Sequence, residues 1–264
     1  MTSAPPQAKE PLLPERALAE PGLDFGSASA VASPPALPAP SSDACTADLV
    51  LLTSDQLRLQ ARWHPRAPEH PSPTATVVFA HGFSATQEHG DVVSLTRALR
   101  GDGLDVMTYD SRGHGGSEGL CEVGGAEHLD VASAVATAAL VSDRVAPVVL
   151  VGVSMGAVAV SRYLASSQLP ASIAGAVLVS TPARWRMRPS AVGVISALLT
   201  KTALGRQAAR KWLQVRIAPR WETGETVASA LRRVDLPIAV VHGAGVRQVS
   251  SAPGRIRPGC PHHG

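Results

Sequence analysis

The sequence predicts an α/β fold built on a mostly parallel sheet, and three observations predict it. Short runs that are apolar at every position recur along the chain, at 75–80, 105–109, 148–151, 174–179 and 237–241. Segments with apolar residues at helical spacing lie among them, at 91–100, 127–140 and 155–165. Hydrophobic residues make up 45% of the 264, but aromatics only 3%, so the core must be built from Val, Leu, Ile and Ala. Runs without polar alternation suit strands covered on both faces, the condition of a parallel sheet. Alternation of strand and helix gives an α/β class with right-handed crossovers.

Taken in order, residues 1–45 are rich in Pro, Ala and Ser, with few large apolar groups. Such a segment cannot offset the entropy of ordering itself, so it is expected to be a disordered tail. Order is expected to begin near Ala47. Leu49-Val50-Leu51-Leu52 is a strand, Thr53-Ser54-Asp55 carries turn chemistry, and Leu57, Leu59 and Ala61 alternate with polar residues. That pattern predicts a hairpin with one buried face. Pro65 to Pro73 is a surface loop, after which the α/β alternation begins. Residues 183–221 interrupt it. There Ser190 can cap a helix through Thr200, and a second helix fits Leu204 to Leu213. The expected division is therefore a tail (1–45), an α/β domain (46–245) with an insertion (183–221), and an irregular C-terminal segment (246–264).

Composition excludes several function classes. A net charge of +3 is too small to argue for nucleic-acid binding. Cys45, Cys121 and Cys260 are widely spaced and odd in number, supporting neither a disulfide framework nor a zinc site. No metal or other cofactor is expected. The N-terminus lacks a basic start followed by an apolar run, and no stretch approaches the roughly 18 apolar residues of a spanning helix. The default expectation is a soluble cytoplasmic protein of unassigned oligomeric state.

Three motifs carry chemistry. Gly152-Val153-Ser154-Met155-Gly156 follows the apolar strand 148–151 and opens a helical pattern. A serine on so tight a strand-to-helix turn needs unusual backbone angles, and glycines two before and two after remove the collisions. The turn sets the serine at a helix start, where main-chain N–H groups face a developing oxyanion. Ser154 is the candidate nucleophile. His81-Gly82-Phe83 follows the strand 75–80, and the Phe83 and Met155 amides are the candidate oxyanion donors. His81 and Gly82 themselves read as parts of a sharp turn. Asp110-Ser111-Arg112-Gly113-His114-Gly115-Gly116-Ser117 follows the strand 105–109. Asp110, Arg112 and His114 there can satisfy one another and nearby backbone, bracing a loop beside the site rather than supplying a base.

The order and spacing of His81-Gly82-Phe83, Asp110-x-Arg112-Gly113-His114-Gly115-x-Ser117 and Gly152-x-Ser154-Met155-Gly156 resemble the α/β-hydrolase superfamily over residues 47–243. The branch most resembled is that of monoacylglycerol-lipase-like and S33 aminopeptidase-like hydrolases. The resemblance implies an α/β-hydrolase fold with a short helical cap at 183–221, and ester or related acyl hydrolysis by a serine acyl-enzyme route. It also implies a catalytic Asp shortly after the strand ending at Val241-His242-Gly243, then one more strand and a loop bearing a catalytic His.

Here the chain departs from that pattern. After Asp235 it contains no Asp or Glu, and Ala244-Gly245-Val246-Arg247 stands where the acid is expected. Ser180-Thr181-Pro182-Ala183, the alternative acid position, has no carboxylate either. Neither triad acid nor triad His is identified; His262 and His263 stand in a stretch with no strand or helix pattern. The expectation is a chain whose last strand and helix are missing, through a frameshifted or prematurely ended reading frame, leaving the edge at 236–241 exposed. A serine without a positioned base is a poor nucleophile, so activity is expected to be impaired. The alternatives are an inactive homologue serving as a binding module, and an acyltransferase. The cap carries Arg184, Arg186, Arg188, Lys201, Arg206, Arg210, Lys211, Arg216 and Arg220 without an acidic residue between 183 and 220. It reads either as a solvated helix pair with one packed face or as a substrate lid in weak contact with anionic membrane surfaces. Trp185, Trp212 and Trp221 read as packing anchors. The expected partner is a small acyl substrate.

Overall fold

Apolar runs of five or six residues become strands here because helices cover both faces of the sheet they join. In the computed structural model, which describes residues 46–142, 146–166, 169–181, 198, 200–221 and 224–242, all five residues of β3 (Thr76–Ala80) and of β4 (Asp105–Tyr109) are buried. They lie in a seven-stranded sheet with β1 (Ala47–Leu52), β2 (Arg58–His64), β5 (Val148–Val153), β6 (Ile173–Val179) and β7 (Ile238–Val241). The strand order is β1-β2-β4-β3-β5-β6-β7. β1–β2 and β2–β4 pair antiparallel, and every other pair is parallel. The expected mostly parallel α/β sheet is present.

Alternate residues of each strand serve two separate cores, as a period of two requires. Val78, Met107 and Leu150 join Val131, Ala134 and Val135 of α2 (Glu127–Val141), together with Ala157, Val160 and Leu164 of α3 (Met155–Leu164). Val77, Phe79, Val106 and Val151 join Val92 and Leu99 of α1 (Gly90–Gly101). The helices contribute Ala and Val where most cores use Leu and Phe. Small residues let α2 and α3 lie against each other and the sheet without bulky aromatics.

Most of the insertion's first predicted helix lies outside the described residues, Leu198 and Thr200 at its end being helical; Trp185, the tail 1–45 and the segment 246–264 lie outside them too. Its second predicted helix is found as α4 (Ala203–Ala208), continued by a π-helical turn, Ala209–Leu213. Thr202 caps α4, its hydroxyl accepting from the Gly205 N–H at 2.9 Å. A final short helix, α5 (Val227–Leu231), leads into β7. β7 pairs only with β6 among the described residues, and Val240 and Val241 are about half exposed.

Candidate active site

The bend at Ser154 is where the sheet's geometry meets the candidate chemistry. Ser154 ends β5 and opens α3 with φ 51° and ψ −108°, a conformation that L-residues rarely adopt and that stores strain. Its N–H donates to Val179 O at 2.8 Å, while its own carbonyl accepts from Ala157 N and Val158 N. The backbone is thus fixed from both sides. The flanking glycines are dictated by contact. A Cβ on Gly156 would lie 2.1 Å from Ala80 O, and one on Gly152 would lie 2.7 Å from Ala157 Cα. Neither neighbour is a movable side chain.

That close approach seats α3 on the end of β3 and brings the 81–83 turn beside the serine. A Cβ built on Gly82 would touch Ser154 Cβ at 3.7 Å. Among the described residues, the Phe83 and Met155 N–H groups and the Ser154 hydroxyl take no hydrogen-bond partner. Two unpaired main-chain donors thus lie in the turn segments next to Gly82 and Ser154, whose hydroxyl is unpaired too among the described residues.

His81 and His114 hold this layout from beneath. His81 Nε2 accepts from Ser111 N at 2.9 Å, so its proton sits on Nδ1, which donates to Gly82 O at 2.8 Å. His114 uses Nδ1 on Arg112 O and Nε2 on the Ser84 amide, and its ring meets those of His81 and Phe83 edge-on. Burial pushes both imidazoles down to about 4, so both are neutral at pH 7. With all four ring nitrogens engaged, neither is placed to take a proton from Ser154.

The Asp110–Ser117 loop is braced differently from the mutual pairing that its residues suggest. Asp110 takes Gln87 N at 2.7 Å and Gly116 N, with burial raising its carboxyl. Arg112 does not pair with Asp110. Instead it is buried against Asp130 of α2 and Asp55 of the first hairpin turn, at 2.7 and 2.8 Å. Burial disfavours its charge, but those bonds outweigh it and hold the guanidinium above its ordinary value. Burial raises Asp130 to about 6, and Glu127, which accepts from Glu122 N and Gly124 N, to about 7. Sequence reading missed Glu127 and Asp130. Acidic residues in a helix's first turn ordinarily signify only dipole complementarity.

The cap closes one side of the site. Residues 215–218 run along the 113–121 loop as a strap: Arg216 N donates to Gly113 O, Cys121 N to Arg216 O, and Ala218 N to Cys121 O. The Arg216 guanidinium donates to Ser117 O and Gly119 O, so its donors are spent on the loop that it braces. Val215, Ile217 and Ala209 form an apolar cluster with Cys121 and Met155, and Phe83, Leu213 and Trp221 pack against it. Both candidate oxyanion residues thus back onto the cap. Trp212 is no packing anchor, being 74% exposed. Arg184, Arg186 and Arg188 lie outside the described residues.

The family model described as serine aminopeptidase, S33, matches residues 71–231, a span that includes all three motifs and the strap. The chain belongs to this family of α/β-hydrolases. By family it is a serine hydrolase. It resembles the Pyrococcus furiosus esterase Pf2001, with 21% identity over 74% of this chain and 70% of that one and a TM-score of 0.54. It also resembles the α/β-hydrolase GrgF from Penicillium sp. sh18, with 13% identity over 77% and 91% and a TM-score of 0.52. These likenesses concern the fold. No curated protein sequence matches the hydrolase.

Proposed function

We propose that the chain hydrolyses a carboxylic ester through an acyl-enzyme on Ser154. The observation that carries this reading is the strained φ 51° bend, which sets an unbonded hydroxyl beside Gly82. Ser154 Oγ attacks the carbonyl carbon, and the Phe83 and Met155 N–H groups hold the oxyanion that forms.

A fluorophosphonate probe with Ser154→Ala as control, beside an ester-hydrolysis assay, tests the reading. Labelling that requires Ser154 is expected. A folded wild type that takes no label would instead favour an inert homologue or binding module, and acylation of an added alcohol in preference to water would favour an acyltransferase.

A second reading concerns the cap. Leu204 and Trp212 stand exposed beside Lys201, Arg210 and Lys211, a combination suited to an anionic lipid surface. We expect the chain to co-sediment with phosphatidylserine vesicles, more weakly after Trp212→Ala. Equal recovery with neutral vesicles would sink this idea.

A further inference from the structure

Glu127 directs its carboxylate at a loop rather than at a cation. It is buried in the first turn of α2, and its two oxygens accept from Glu122 N at 2.7 Å and Gly124 N at 2.9 Å. Two N–H groups so spaced form a concave nest of the kind that binds anions. The loop is strained to make it. Val123 has φ 55°, an outlier for a β-branched residue, and Gly124 has φ 92°. Complementing the helix dipole would require neither the burial nor the bonds to preceding residues.

That loop is wedged between the cap and the first turn of α3. On the cap side, Cys121 N donates to Arg216 O and Ala218 N to Cys121 O. On the other side, Cys121 Sγ donates to Met155 Sδ at 3.6 Å. Gly124 lies so close to α3 that a Cβ there would stand 2.8 Å from Val158 Cγ1 and 3.5 Å from Met155 O. Arg162 of α3 donates to Gly124 O at 2.6 Å. Met155 carries a candidate oxyanion donor on its N–H, and its side chain and its carbonyl both lie against this loop.

We propose that Glu127 is a positioning residue for the reaction at Ser154: its carboxylate, seated in the 122–124 nest, holds the strained wedge against Met155 and so fixes the amide that receives the oxyanion. This inference rests on the Ser154 reading above. An ionised carboxylate offers an acceptor to both N–H groups, whereas a protonated one turns an O–H toward the nest and weakens its grip. Burial lifts this carboxyl to about 7, so the change falls at neutral pH. The groups that face it are the Cys121 thiol, Asp130 one turn along α2, Arg162 of α3 and Tyr109 of β4, while the Glu122 carboxylate is turned onto Gly125. Asp130, which burial raises to about 6, titrates alongside it and is present in wild type and Glu127→Gln alike.

The test is the ratio of fluorophosphonate labelling rates, full-length wild type over Glu127→Gln, followed across neutral pH. As the Ser154 oxygen bonds phosphorus and fluoride and a proton depart, the phosphoryl oxygen gains the charge that the Met155 N–H is placed to hold. The ratio should stand near one at about pH 5, where Gln matches the protonated side chain in shape, and rise about 10-fold by about pH 8.5. A merely structural Glu127 requires the opposite trend, because wild type loses stability relative to Glu127→Gln as pH rises through that window. Should Glu127→Gln fail to fold, Val123→Gly decides instead. It relieves the φ 55° strain without touching the carboxylate, so its labelling should depend on pH less steeply than that of wild type. A ratio that stays flat or falls with pH, or in the second case parallel profiles, would overturn the role of Glu127 and leave the nucleophile assignment standing. Labelling that persists in Ser154→Ala, or a folded wild type that takes none, would overturn the nucleophile assignment and this inference with it.

Discussion

At the scale of single residues, the site is defined by backbone that side chains would not tolerate. Ser154 sits at φ 51° because β5 must turn directly into α3, and that strain costs on the order of 1–3 kcal/mol. Glycine relieves such strain and alanine does not. Ser154→Gly is therefore expected to be more stable than Ser154→Ala by about 1 kcal/mol in urea unfolding, although neither carries the hydroxyl. Equal midpoints would mean that the bend is unstrained. This part of the site was legible in the sequence, because Gly152, Ser154 and Gly156 each answer a local steric demand. The shielding of the His242 ring nitrogens and of the Thr181 hydroxyl was not legible, since it depends on which strand ends lie beside them.

At the scale of elements, α2 is tied to the hairpin turn by one guanidinium. Arg112 bridges Asp130, which is fully buried, and Asp55, whose side chain is 40% exposed. Removing a partner from a buried pair leaves an uncompensated charge, whereas water replaces an exposed one. Asp130→Ala should lose about 3–5 kcal/mol and Asp55→Ala about 1 kcal/mol or less, read from chemical denaturation. Similar losses at the two positions would contradict the assignment of Asp130 as the anchoring partner. Most elements were readable to within two or three residues, because apolar runs and helical spacing are local signals, whereas the five-residue helix Val227–Leu231 is too short to show a helical period. The strap at 215–218 was not readable. Its bonds to Gly113 and Cys121 join residues some hundred positions apart, and Arg216 looks in sequence like any other cation of a basic insertion.

At the scale of the whole molecule, Glu127 makes stability depend on pH in an unusual direction. Burial raises its folded value to about 7, while the unfolded chain keeps the ordinary value near 4.5. Between those limits the folded state binds more protons, so stability falls as pH rises through the window and levels off above it. Relative to Glu127→Gln, wild type is expected to lose stability between pH 5 and 7.5, on the order of 1 kcal/mol or more. Parallel pH profiles for the two proteins would remove Glu127 as the cause. The strap has a mechanical consequence as well. The turn at Gln214, with φ 54°, is latched as well, since Val215 N donates to Ala209 O across it and Ala209 shares the apolar cluster of Val215 and Ile217. The stretch from Ala209 to Ala218 therefore forms one fixed frame with the loop beside the serine, and any movement of the Ala203–Ala208 helix has to begin before Ala209.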